Sequence, residues 1–146
     1  MLSTVKYIQD VYYKLDENNE VVACDYKDYC HWHSGLPIER KLSFGFMMVA
    51  VWIDPDGIFE VSTTMFGRDL EYRLGVNPKP VVFETMIFGY KGWETNYQER
   101  CSTYKEAIDM HNEAIAYVME IRGSSSKREP ANERDLCQKV ANCGIS

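Results

Sequence analysis

Asp54-Pro55-Asp56-Gly57 is the stretch that most restricts how this chain can fold. Pro55 presets the first angle of a turn, and Gly57 suits the left-handed position that follows a type I turn. Runs rich in β-branched, aromatic and methionine residues lie on either side, at 41–53 and 58–66. The turn therefore predicts a β-hairpin, with Gly67 ending its second strand. Alternation in the first run puts Phe44, Phe46, Met48, Ala50 and Trp52 on one face, and Gly45, Met47, Val49, Val51 and Ile53 on the other. A third run, 81–88, carries large apolar residues on both faces, which predicts a strand inside a sheet covered on both sides. Glu84 sits in the middle of it. An ionised carboxylate there is costly unless it is paired or reaches solvent. Glu84 is thus an outward-facing or structurally paired residue, with Arg68 and Arg73 as candidate cations, or a polar group lining a pocket.

Ahead of the hairpin, 7–15 and 20–23 read as two strands joined by Asp16-Glu-Asn-Asn19. Asp25 is placed to cap a short helix over 26–33, with Asp28 in its first turn and Tyr26, Tyr29 and His33 on one face. Gly35 and Pro37 end it. Beyond the third run, Thr103-x-x-Glu106 is a capping box opening a helix over 104–122. Tyr104, Ile108, His111, Ile115 and Val118 form its apolar stripe. His111 on that stripe is either a satisfied core histidine or a functional one. Gly123-Ser-Ser-Ser126 then acts as a linker to a last helix over 130–141, whose apolar face of Leu136, Cys137 and Val140 is thin and suits packing on another subunit. The expected fold is α+β. A single domain over 1–123 has a mainly antiparallel sheet with one long helix packed on it, and 124–146 is a helical appendage used in oligomer assembly.

Of the 146 residues, 45% are hydrophobic and 13% aromatic, enough for the core of one domain. The net charge of -6 argues against binding DNA or RNA without regard to sequence, but leaves room for a small anion in a local basic pocket. The longest apolar run, 44–53, is far short of the roughly 20 residues of a membrane span. The first residues lack the pattern of a secretory leader. The five cysteines, an odd number without a CxxC, read as reduced cytosolic thiols. Cys24, Cys30, His31 and His33 are the one cluster with metal-ligating side chains, and their spacing matches no common zinc pattern. Neither a metal nor a cofactor is expected. GxSxG, phosphate-cradling glycine loops and paired phosphoesterase motifs are missing. A binding protein is therefore expected ahead of an enzyme, and a phosphodiesterase is the enzymatic alternative.

Two loops flank the third run. The first, 67–80, carries Arg68, Tyr72 and Arg73; the second, 89–97, carries Lys91, Trp93 and Tyr97. With Thr64 and Phe66 these eight residues are the candidate ligand-binding set. Flat rings stack on nucleobases, and Arg, Lys and hydroxyl groups hold phosphates. The competing account is that aromatics beside strands belong to the core or to an interface. A protein that blocks a host partner by direct contact would use the same rings as anchors.

Three stretches together resemble a widespread group of small phage-encoded proteins: Val61-Ser-Thr-Thr-Met-Phe-Gly67, Pro80-Val-Val-Phe-Glu-Thr-Met-Ile-Phe-Gly89, and Glu99-Arg-Cys-Ser-Thr-Tyr-Lys-Glu-Ala107 with His111. Tyr13-Lys-Leu-Asp-Glu-Asn-Asn19 and Val22-Ala-Cys-Asp25 agree with the group, so the likeness covers roughly residues 12 to 120. The chain is thereby similar to the phage anti-CBASS sponge proteins. That resemblance implies a homo-tetramer in the host cytoplasm. It would sequester a cyclic dinucleotide such as cyclic GMP–AMP without cleaving it, so that the host's effector stays off. The chain departs from the group where Gly-x-Asp-His is replaced by Gly67-Arg68-Asp69-Leu70, and where a glycine-rich loop is replaced by Leu74-Gly-Val-Asn-Pro-Lys-Pro80. Both departures fall in the first candidate loop, so the ligand can differ from that of relatives. The eight candidate residues rest on their chemistry and not on the resemblance.

Overall fold

Gly57 takes φ +67°, and its N–H donates to the Asp54 carbonyl at 2.7 Å. This closes the turn between β3 (Met47–Ile53) and β4 (Phe59–Met65). A computed structural model describes residues 10–71, 75–90 and 92–124 of the chain. Around the hairpin it contains β1 (Tyr12–Leu15), β2 (Val21–Cys24), α1 (Tyr26–Ser34), β5 (Phe83–Gly89), β6 (Gln98–Cys101) and α2 (Tyr104–Ser124). The fold is α+β. β3-β4-β5-β6 form one antiparallel sheet in chain order, and β1-β2 form a separate antiparallel hairpin. The final helix expected over 130–141 lies outside the described residues, as do residues 7–9 of the first expected strand.

α2 covers one face of the sheet. The odd-numbered residues of β4, from Phe59 to Met65, are all buried beneath it, as are Phe83, Thr85 and Ile87 of β5. Ala107, Met110, His111, Ala114 and Val118 are the buried residues of the helix, and they follow the spacing of its predicted stripe. Thr103 Oγ1 accepts the Glu106 N–H at 3.1 Å, so the N-cap half of the capping box forms. At the far end, Arg122 pairs with Asp54 and Asp56 of the hairpin turn. Burial nonetheless raises the Asp54 carboxyl by more than Arg122 lowers it. His111 is a satisfied core histidine: its Nδ1 lies 2.8 Å from Thr63 Oγ1, which in turn lies 2.6 Å from Thr85 Oγ1.

Three expectations need correction. The strand expected over 41–53 is shorter, because Phe44 and Gly45 take left-handed angles, φ 63° and 78°, that no strand accepts. Residues 38–45 instead make two short 3-10 turns, Ile38–Arg40 and Ser43–Gly45. A bulge between Met48 and Ala50 also changes the faces, leaving Met47, Ala50 and Trp52 in register with the buried side of β4, and Met48, Val51 and Ile53 with the other.

β5, expected to be covered on both faces, carries α2 on one; on the other Phe88 is 41% exposed. Glu84 on that second face is only 8% exposed. Its Oε2 accepts from Arg100 Nε at 2.8 Å and Gln98 Nε2 at 2.6 Å, both on β6. The structural account of Glu84 therefore holds, with Arg100 as its cation in place of Arg68 or Arg73. β6 itself, made of Gln98-Glu-Arg-Cys101, is too polar to be recognised from periodicity.

The buried histidine gives a pH dependence with a definite sign. Burial lowers the His111 pKa from 6.5, so the unfolded chain takes up a proton that the folded chain resists. The stability this neutral histidine contributes is present above pH 6.5 and is lost as pH falls below it. Denaturant midpoints between pH 5 and 8 should fall on the acid side, by up to about 1.4 kcal/mol per pH unit from this group. His111→Gln should flatten that part of the curve.

Candidate functional site

The described cleft with the greatest concentration of rings lies where β1, α1, the Ser43–Gly45 turn and the end of β4 meet. Its volume is about 640 Å³, and its walls include Tyr12, Tyr26, Tyr29, Phe44, Phe46, Phe66, His33 and Arg68. Each ring has a local cause. Asp25 Oδ1 accepts the Asp28 N–H at 2.8 Å and starts α1. The helical repeat then places Tyr26, Tyr29 and His33 on one side. His33 Nε2 meets the Phe46 carbonyl at 2.8 Å, and the Tyr29 hydroxyl donates to the Gly45 carbonyl. These two contacts hold the Ser43–Phe46 segment against α1. Burial raises the Tyr29 hydroxyl pKa, so it remains a donor.

Gly67 is what lets these parts approach. Its N-terminal neighbour Phe66 pairs with Val82 through a 2.7 Å backbone bond, and its own carbonyl accepts the Tyr13 N–H at 2.8 Å. A Cβ at position 67 would lie far inside contact distance of Tyr29 Cζ. The next residue, Arg68, reaches across the mouth of the cleft. Nη1 lies 3.2 Å from the Tyr12 hydroxyl, Nη2 lies 3.1 Å from Asp10 Oδ1, and the guanidinium sits 4.9 Å from the Tyr12 ring centroid. The Asp10 bond raises the Arg68 pKa. Its side chain is 52% exposed, so this ion pair is weak, on the order of 1 kcal/mol or less. An incoming anion can therefore replace Asp10. Asp69 also borders the cleft, but its carboxylate is committed to the loop, accepting from Glu71 N–H, Val81 N–H and Asn77 Nδ2 at 3.1, 3.2 and 3.0 Å.

Phe44 stands apart from the other rings. It is 92% exposed, with φ 63° and ψ 20°. A left-handed backbone costs a non-glycine residue about 1–2 kcal/mol, and hiding a phenylalanine ring from water is worth about 1.5–3 kcal/mol. Both terms oppose this placement.

The eight candidate residues divide. Phe66 and Arg68 line the cleft. Thr64 lies just before them on the face of β4 away from α2, in register with Met48 and Glu84. Trp93 and Tyr97 are elsewhere. Met65 pairs with Phe83 at one end of β5 and Phe59 with Gly89 at the other. Within one chain the two candidate loops thus emerge at opposite ends of a seven-residue strand, about 20 Å apart. Trp93 packs edge-on to Phe59 at 5.5 Å, and Tyr97 lies against Tyr117 of α2 at 5.2 Å. Burial and the neighbouring Glu99 and Glu113 raise the Tyr97 pKa, an environment that disfavours anions. Tyr72, Arg73 and Lys91 lie outside the described residues.

The residues overlooked from sequence are Tyr12, Tyr26, Tyr29, His33, Phe44 and Phe46. Two signals were available for them: the shared helical face of Tyr26, Tyr29 and His33, and the Phe44-Gly-Phe46 pattern.

Among the described residues no group of three or more His, Cys, Asp and Glu side chains is arranged to hold a metal ion, so the cluster at Cys24, Cys30, His31 and His33 does not form a centre. Burial pushes the Cys101 thiol up to about 11 and raises Cys24, which keeps both protonated at neutral pH. No described helix is long and apolar enough to cross a membrane. Comparison with protein families, curated proteins and solved structures finds no match to this chain.

Gly67→Ala should disrupt the cleft by driving Tyr29 off the sheet end. Overpacking of this kind costs about 1–3 kcal/mol. Thermal unfolding should show a lowered Tm, and in a double-mutant cycle Gly67→Ala should cost less in a Tyr29→Ala background than in the parent.

Proposed function

We propose that this protein is a non-catalytic sequestering protein for a cyclic dinucleotide second messenger, such as cyclic GMP–AMP. A phage would use it in the host cytoplasm to keep CBASS effectors inactive. One observation carries the assignment: a cleft of about 640 Å³ whose walls bring together rings from β1, α1, the 43–46 segment and the residue that follows β4 with, among the described residues, one guanidinium, that of Arg68. Its size falls within the usual range for small-molecule sites, about 300–1,000 Å³. Rings accept nucleobases by stacking without regard to sequence, and an arginine answers a phosphate with paired N–H donors.

A cyclic dinucleotide has two phosphates, and Arg68 meets one. Lys27 is a further cation on the described surface, lining a shallower depression that shares Tyr12 and Tyr26 with the cleft. Asp10 and Asp25 border the same depression, so the second phosphate needs cations from elsewhere. Assembly as a homo-tetramer would bring further cations and would enclose the ligand. Sequestration demands slow release, because free messenger falls only as far as the dissociation constant and the concentration of sites allow.

Calorimetry with a panel of cyclic di- and trinucleotides, followed by chromatography of the recovered ligand, tests the assignment. Heat with at least one messenger and its return intact are expected. Absence of heat with every member removes the proposal, and a cleaved product would make the protein a phosphodiesterase. Arg68→Ala should weaken binding by about 10- to 100-fold, the worth of one charge-assisted hydrogen bond. A second reading, direct blocking of a host defence protein, is favoured by the exposure of Phe44, Tyr26 and Ile38 around the Ser43–Gly45 turn and α1. Stoichiometric capture of one host protein, without any nucleotide binding, would select it.

A further inference from the structure

We infer that Phe44 is the closing ring of the cleft, a residue that sets how long a planar ligand stays bound. The inference rests on the nucleotide assignment above and adds to it the element that controls release.

Three observations converge on this residue. The first is its place. The Phe44 and Phe46 ring centroids are 6.2 Å apart, and those of Phe46 and Phe66 are 4.6 Å apart. The three form a ladder running from the β4 end outward, and Phe44 is the outermost rung. Its ring borders the cleft yet is 92% exposed, so it presents ring surface beside the other stacking rings.

The second is its backbone. Phe44 and Gly45 are consecutive left-handed residues, at φ 63° and 78°. Glycine tolerates this and phenylalanine does not. Strain of this kind persists where the surroundings over-determine the conformation, and it gathers at ligand clamps. Here the surroundings do so. Leu42 N–H donates to the Phe46 carbonyl at 3.0 Å, and Phe46 N–H donates to the Ser43 carbonyl at 3.3 Å.

The third is the link to the cleft itself. The Tyr29 hydroxyl donates to the Gly45 carbonyl, while the Tyr29 ring forms a wall. The cleft wall and the turn are therefore mechanically connected. A planar base entering beside Tyr29 and Phe46 meets Phe44 on its outer side, with its phosphate toward Arg68. The Phe44 ring then lies over the base on its open side, and leaving requires that ring to swing aside while the turn stays in place.

The test is stopped-flow binding of the cyclic dinucleotide giving the largest calorimetric heat, compared across Phe44→Ala, Phe44→Leu and Phe44→Tyr. Because Phe44 is exposed, each variant should keep a Tm no lower than the parent. The expected result is a dissociation rate raised about 10- to 100-fold in the Ala and Leu variants, with the association rate changed less than about threefold. The Tyr variant should retain slow release, since a flat ring is what the site uses. A dissociation rate unchanged by Phe44→Ala in a parent that binds overturns the clamp and leaves the nucleotide assignment standing. So does a Leu variant that behaves like the parent, since bulk and not a flat ring would then suffice. A parent that binds no nucleotide removes both. If Phe44→Ala instead abolishes capture of a host protein while nucleotide release is unaffected, the ring is a protein anchor and the inference is overturned.

Discussion

The contact between the Tyr29 ring and the bare Cα of Gly67 holds the molecule's two parts together. On one side stand the four-stranded sheet and α2; on the other, the β1-β2 hairpin and α1. The Gly67 carbonyl binds the Tyr13 N–H, while Tyr29 reaches past position 67 to the Gly45 carbonyl. Tyr13, Leu15, Met47, Val49, Met65, Val82 and Phe83 then share one apolar cluster with Ala107 and Met110 of α2. Any side chain at 67 would separate the layers at the point where the cleft has its floor. The dependence runs from sequence to site in one step: a residue without a side chain, at the end of an alternating strand, makes room for the ring on which the other rings of the cleft are arranged.

Polar groups inside the fold follow the pleat. Odd positions of β4 and β5 face α2, and the two threonines among them are joined to His111 in a linear chain, Thr85 to Thr63 to His111. Burial of three polar groups is tolerable there because each has a partner. The even positions face away from α2. Glu84 is the deepest of them, and β6 answers it with Arg100 and Gln98. The short edge strand thus does two jobs, completing the ladder and neutralising a buried carboxylate. This is why so polar a sequence as Gln98-Glu-Arg-Cys101 is nevertheless a strand.

Much of the fold was legible in the sequence. The Asp54–Gly57 turn, the Asp25 cap, the capping box at Thr103 and the apolar stripe of α2 are local signals. Each is satisfied by hydrogen bonds within a few residues or by one periodic face. What could not be read depends on partners distant in sequence. β6 is a strand because Glu84 needs Arg100, 16 residues away. Residues 41–46 leave the extended form because Tyr29 and His33 hold Gly45 and Phe46 from a helix that precedes them. The candidate site was legible in part for the same reason. Phe66 and Arg68 were recognised from their own chemistry, whereas Tyr26, Tyr29 and His33 were placed on one helical face with nothing to show that this face meets the end of β4.

The division of the candidate residues follows from strand direction. Two loops that bracket one strand must leave it at opposite ends, however alike their composition. Chemical kinship between 67–80 and 89–97 is therefore a poor guide to proximity. Rings gather instead where consecutive antiparallel elements return to the same end: β3 begins, β4 ends and β5 begins there, and α1 is brought to that end by the Gly67 contact. Arg68 is the first residue past Gly67, so the glycine that admits Tyr29 also delivers the cation to the mouth of the same cleft. Trp93 and Tyr97, at the other end, are occupied with Phe59 and Tyr117, and Glu99 and Glu113 lie close to Tyr97. A ligand touching both sets of residues in one chain would have to span about 20 Å, whereas the rings of the cleft converge within a single chain.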